Sequence, residues 1–131
     1  AFMKNSGEGI PLLLDAGHLA FAGGDVLRAI DRHHARINHV HVKDIRRPVV
    51  DGLDRSRQSF LDAVALGAFT VPGDQEGGVD FGPLLKILAA HGYDGWIVIE
   101  AEQDPKVRNP LLYQTLGLAT LKRLSRDAGL I

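Results

Sequence analysis

Three short apolar runs, each ending on a polar residue and each followed by a helix-length segment, restrict how this chain can fold more than any other feature. Pro11-Leu12-Leu13-Leu14 ends on Asp15, Ile37 to Val42 reaches Lys43-Asp44, and Trp96-Ile97-Val98-Ile99 runs into Glu100. Between the first two runs, Asp25 follows Gly23-Gly24 and is placed to cap a helix in which Val26, Ala29, Ile30 and His33 recur at helical spacing. Asp80 caps a second helix, with Pro83 in its first turn and Leu84, Ile87, Leu88 and His91 as its apolar stripe. Gly92 falls where a left-handed stop is expected. Asn109-Pro110 opens a leucine-rich helix reaching about Ala128, and its broad stripe implies burial on more than one side. Apolar strands alternating with helices specify a parallel sheet covered by helices.

The segment 45–79 is too long to be a structureless connection. Within it, Ser59 to Leu66 fits a short helix, and Ala68-Phe69-Thr70-Val71 a short strand before Pro72-Gly73. Counting that strand gives about four β–α units, whereas a complete barrel of eight such units takes about 250 residues. The 131 residues therefore read as a single partial domain, 1–131, of the α/β class: the C-terminal half of a (β/α)8 TIM barrel, starting mid-protein.

Composition narrows the function classes. A chain 45% hydrophobic and 24% charged is not disordered. Its net charge of −1 offers no basic footprint for nucleic acid or an acidic membrane. No apolar stretch approaches the roughly 18 residues of a membrane helix, and the N-terminal segment lacks a signal peptide's apolar core. With no cysteine, any metal must be held by His, Asp or Glu. The expected location is the cytoplasm.

Side chains alternate across a strand, so the facing of each residue follows from its parity. Leu13 and Asp15 share one face of the first strand, Ile37, His39 and His41 one face of the second, and Trp96, Val98 and Glu100 one face of the last. The opposite faces, Leu12/Leu14, Val40/Val42 and Ile97/Ile99, are aliphatic and suit packing under helices. Asp15, His41 and Glu100 then point inward at the C-terminal ends of their strands, where barrel enzymes build active sites. Two carboxylates and an imidazole converging there make a site for a hard cation. Taken singly, Asp15 reads better as a turn cap and His41 as a core histidine. Glu100 is harder to explain that way, because a carboxylate placed after four apolar residues is costly unless paired or metal-bound. Glu102 has the same parity farther out, at the rim or behind the ligands.

The segments LLLDAGHLAFAGGD, INHVHVKDIR, FTVPGDQEGGVDF and GWIVIEAEQDP resemble the C-terminal half of the inosose dehydratases, within the xylose-isomerase-like TIM barrels. DxGH and HVHxKD are shared across that superfamily, whereas FTVPGDQEGGVDF followed by IEAEQDP is narrower. The resemblance covers nearly the whole chain from about Leu12. It implies a divalent ion, manganese or cobalt, with metal ligands at Asp15, His41 and Glu100. It implies substrate contacts at His18 and at Arg47, beside which Arg46 competes for the same role, and Lys43 shares the inward parity of His41. The family's fourth ligand is a glutamate on the fourth strand, which precedes this chain; Glu8, in a Gly-flanked loop, is not a substitute for it.

The implied reaction is dehydration of 2-keto-myo-inositol to a trihydroxycyclohexanedione in myo-inositol catabolism, by a hydro-lyase acting on a cyclic polyol ketone. Glu100 or the fourth-strand glutamate would take the α proton, and His18 or Lys43 would protonate the departing hydroxyl. A sugar isomerase or epimerase would use the same metal and base. An endonuclease of this fold would need more metal ligands and a basic groove. A further reading is a half-barrel that folds but is inactive alone. Its unpaired edges favour a homo-oligomer, or pairing with the N-terminal half.

Overall fold

The apolar runs form the sheet. In the computed structural model, which describes residues 2–7 and 9–131, a short helix α1 (Phe2–Asn5) precedes β1 (Leu12–Asp15), α2 (Ala16–Phe21), α3 (Val26–His33), a 3-10 turn (His34–Arg36) and β2 (Ile37–His41). There follow β3 (Asp44–Ile45), α4 (Arg47–Asp51), α5 (Phe60–Ala65), β4 (Phe69–Thr70), α6 (Phe81–Ala90), β5 (Trp96–Val98) and α7 (Pro110–Ala128). Glu8 lies outside the described residues. Strands β1, β2 and β5 make a parallel three-stranded sheet in that order, with Asp15 level with His41 and His41 level with Val98.

The helices start and stop where their end residues dictate. The carboxylate of Asp25 accepts from the Arg28 amide, and that of Asp80 from the Gly82 amide. Ser59 and Asp62 form a reciprocal capping box at α5. The Asn109 side chain accepts from two amides of α7, Pro110 occupies the first turn, and Gly129 closes the helix at φ 77°. Leu14, Val40 and Val42, from the aliphatic faces of their strands, are buried in one cluster with Ile30 of α3, Leu84 of α6 and Leu121 of α7. On the opposite face, Leu13 is 49% exposed and Trp96 75% exposed.

One segment departs from the expectation of about four β–α units. Phe69–Thr70 does not join the parallel sheet but pairs antiparallel with Asp44–Ile45 as a separate two-stranded sheet. The parallel sheet therefore has three strands among the described residues. Buried charge holds the excursion in place. Arg46 donates to the carbonyls of Gly67 and Phe69 and to the Thr70 hydroxyl, and pairs with Asp74 at 2.8 Å. One Asp44 oxygen accepts from the amides of Ile45, Gly78 and Val79. With the Phe69 carbonyl also taking a bond from Gln103, β4 has its polar groups satisfied away from the main sheet.

Burial pushes the Asp74 carboxyl upward, but the Thr70 hydroxyl, the Glu76 amide and the Arg46 guanidinium outweigh it and hold the group below its ordinary 3.8. A depressed folded-state value contributes stability that is present above the unfolded value and lost as pH falls through the folded one. Asp74→Asn is therefore expected to flatten the loss of stability below about pH 4. Denaturant midpoints across that range check it; an unchanged slope would contradict it.

Candidate metal centre

Asp15 is both a cap and a site residue. At the end of β1, its Oδ1 accepts from the His18 amide at 2.8 Å and so opens α2. Its Oδ2 lies 3.4 Å from His18 Nδ1, 3.6 Å from His41 Nδ1 and 3.4 Å from Lys43 Nζ. His41 ends β2, and Glu100 follows β5 by two residues. Glu100 Oε2 lies 2.6 Å from His41 Nδ1. One donor atom each from Asp15, His41 and Glu100 thus falls within 4.8 Å of the others. Two carboxylate oxygens and an imidazole nitrogen are the donors a divalent first-row ion takes. The chemistry of the set fits such an ion, and a cationic group, the Lys43 ammonium, already lies against the two carboxylates.

Lys43, inward by parity, lies deep. Its side chain is 0% exposed, and Nζ stands 3.0 Å from Glu102 Oε2, 3.0 Å from His18 Nε2, 3.3 Å from Glu100 Oε2 and 3.4 Å from Asp15 Oδ2. Burial works to lower its pKa, but the hydrogen bond to Glu102 and the charges of Asp15, Glu100 and Glu102 outweigh that and hold it above 10.5. The ammonium therefore keeps its proton throughout the physiological range. Burial raises the Glu102 carboxyl, yet bonds from His18 and Lys43 bring it below its usual range. His18 Nε2 is 2.9 Å from Glu102 Oε2, so His18, Lys43 and Glu102 form a closed triangle beside the candidate ligands.

The glycine of DAGH admits this arrangement. A Cβ at Gly17 would stand 2.6 Å from Lys43 Cγ and 2.9 Å from the Lys43 carbonyl oxygen, so only glycine lets α2 lie against this strand end. Gly17→Ala is expected to cost about 1–3 kcal/mol by overpacking and to displace Lys43. Urea unfolding checks it, and an unchanged midpoint would refute the close approach.

Phe60 and Phe69 meet the His18 ring edge-on at 5.6 and 5.3 Å, giving the triangle an apolar wall. No periodicity in the sequence ties either phenylalanine to His18. The structure brings together Asp15, His18, His41, Lys43 and Glu100, and adds Glu102. Arg47 stands apart: its side chain lies over Gly78, where a Cβ would come within 2.6 Å of its Cγ, in a cavity bounded by Asp25 and Asp80. The Arg47 amide donates to the Glu76 carbonyl at 3.2 Å. Arg46 is the buried member of the pair and is spent on the backbone of that excursion.

Comparison with known proteins identifies the family. The family described as xylose isomerase-like TIM barrel matches residues 2–124. The chain is 50% identical over 127 residues to the rhizopine catabolism protein MocC of Rhizobium meliloti, covering 97% of this chain and 38% of that protein. It is 53% identical over 102 residues to the inosose dehydratase of Clostridium tetani, covering 78% of this chain and 34% of that enzyme. With the inosose dehydratase of Erwinia tasmaniensis it shares 45% identity, covering 98% of this chain and 43% of that enzyme. The chain thus spans well under half the length of the curated relatives it matches.

Proposed function

We propose, from the premise that this chain belongs to the xylose isomerase-like TIM barrel family, that the protein containing it is a metal-dependent dehydratase converting 2-keto-myo-inositol to a trihydroxycyclohexanedione. The observation that carries this reading is the convergence of Asp15, His41 and Glu100 donors within 4.8 Å, in a chain whose relatives include enzymes named inosose dehydratase. Asp15, His41 and Glu100 would hold the ion, manganese or cobalt, with a further glutamate from a strand outside this chain. When bound, such an ion acts as a Lewis acid toward negative charge developing on the ketone oxygen.

The chain's own residues divide the proton work. Glu100, or the further glutamate, takes the proton α to the ketone. The C–H electrons form the new double bond as the β carbon releases its hydroxyl, which leaves as water once protonated, and the resulting enol ketonises to the dione. Lys43 and His18 are the donors for that proton, 3.0 Å apart, and Lys43 carries it at neutral pH. Phe60, exposed beside His18, offers an apolar surface to the C–H face of a ring, while His18 meets its hydroxyls. Arg47 has no part in this scheme.

The experiment is incubation of the intact enzyme with 2-keto-myo-inositol and Mn²⁺, following the ultraviolet absorbance of the dione. Its appearance supports dehydration; epimerised or isomerised sugar without it would favour the isomerase reading. No described helix is long and apolar enough to cross a membrane, and the reading places the enzyme in the cytoplasm. The 131-residue chain alone is expected to be inactive and to self-associate through the face bearing Leu13 and Trp96. A stable monomer at micromolar concentration in light scattering would contradict the association.

A further inference from the structure

We infer that Glu102 is a positioning residue that gives the Lys43 ammonium a charged partner outside the candidate metal ligands, toward which it leans when a divalent cation takes the Asp15 and Glu100 carboxylates, so that the two cations do not exclude each other. The inference rests on the metal-site reading above and concerns what that site needs beyond its ligands.

Lys43 Nζ stands 3.4 Å from Asp15 Oδ2 and 3.3 Å from Glu100 Oε2. His41 Nδ1 faces the same two oxygens, at 3.6 and 2.6 Å. A divalent cation bound by those atoms would therefore meet a monovalent cation at close quarters, where like charges repel strongly in a partly buried site. The ammonium cannot swing into water, because its stem is enclosed against Gly17 and the side chain is 0% exposed. It also cannot accept hydrogen bonds; its three donors need acceptors wherever it sits.

Glu102 meets that need. Its Oε2 is the carboxylate oxygen nearest to Nζ, at 3.0 Å, and it belongs to no candidate ligand. It shares the parity of Glu100 two residues along, so it reaches the same end of the sheet one step farther out. His18 Nε2, 2.9 Å from the same oxygen and 3.0 Å from Nζ, flanks both groups. Glu102 thus supplies a negative charge outside the triad toward which the ammonium can lean when the triad oxygens bind a cation. Without it, Lys43 would have only the triad's own oxygens as charged partners and would compete with the ion for them.

The test is Mn²⁺ affinity, read from free Mn²⁺ by electron paramagnetic resonance, with far-UV circular dichroism confirming that each variant is folded. Glu102→Gln is expected to weaken Mn²⁺ binding roughly five- to tenfold, and Lys43→Met to tighten it by a similar factor, as expected of two coupled cation sites. In the Lys43→Met background the Glu102→Gln effect should shrink to within about twofold, since the ammonium it positions is gone. An equal loss in both backgrounds, or no tightening in Lys43→Met, would overturn the inference. Should Lys43→Met fail to fold, Glu102→Asp against Glu102→Gln decides at a partly exposed position: equal Mn²⁺ affinities overturn it, and retention by Asp alone supports it. Mn²⁺ binding that His41→Ala leaves unchanged would instead overturn the metal-site reading, and this inference with it.

Discussion

Glu100→Gln in the intact enzyme is expected to lower the dehydration rate by at least about a hundredfold, the scale on which a general base contributes. The substitution preserves shape and removes one negative charge. Glutamine is a poor ligand for a hard cation and cannot take a proton, so both functions assigned to Glu100 are lost together. The fold should survive: Glu100 follows the end of β5, and Lys43 keeps Glu102 at 3.0 Å as its charged partner. Lys43→Ala should cost less activity, because His18 lies 3.0 Å from the ammonium's place and remains as a proton donor. Initial rates from the dione absorbance, beside unfolding midpoints, check the ranking; comparable losses would contradict it.

Arg46→Ala is the substitution expected to destabilise the chain most, by about 3–5 kcal/mol, the cost of breaking a buried ion pair from one side. The Arg46 side chain is 1% exposed, and Asp74, at 12%, would be left without the guanidinium that pairs with it at 2.8 Å. The carbonyl of Gly67 and the hydroxyl of Thr70 would lose their donors, and the guanidinium would no longer lie over the Tyr113 ring, now 5.4 Å from its centroid. Because these partners span β4 and the loop after it, the β3–β4 pair should loosen as a unit. Urea titration of Arg46→Ala checks this, and a loss below about 1 kcal/mol would show the network to be dispensable.

The strand ends were legible in the sequence because parity is a strict property of extended chain. Each of the three apolar runs keeps its aliphatic side apart from its polar side, and the caps at Asp25, Asp80 and Asn109 announce themselves by residue type. The β3–β4 pair was not legible. A strand of two residues carries no period, and Ala68-Phe69-Thr70-Val71 has the composition of a central strand while its pairing is decided by Arg46, twenty-four positions from Thr70. Nor could spacing separate Arg46 from Arg47, since adjacent residues differ in facing and only packing says which goes inside. Lys43 was visible as an inward residue, but its depth depends on Gly17, which removes the side chain that would have occupied the same space. Glu102 showed the right parity, yet its partners His18 and Lys43 lie 84 and 59 positions away.

The divided carboxylate of Asp15 limits what variation that position can accept. Asparagine would keep the oxygen that caps α2 and lose the charge that faces the candidate cation site. Glutamate would keep the charge but, one methylene longer, would lose the reach of a helix cap. The two substitutions usually regarded as mildest therefore each remove one of two duties, and neither residue restores both. A saturation scan at codon 15, scored separately for folded yield and for metal retention, should find the first tolerant of Asn, Ser and Thr, the second tolerant of Glu, and aspartate alone passing both. A residue that looks replaceable from either the helix or the metal is fixed by their coincidence in one side chain.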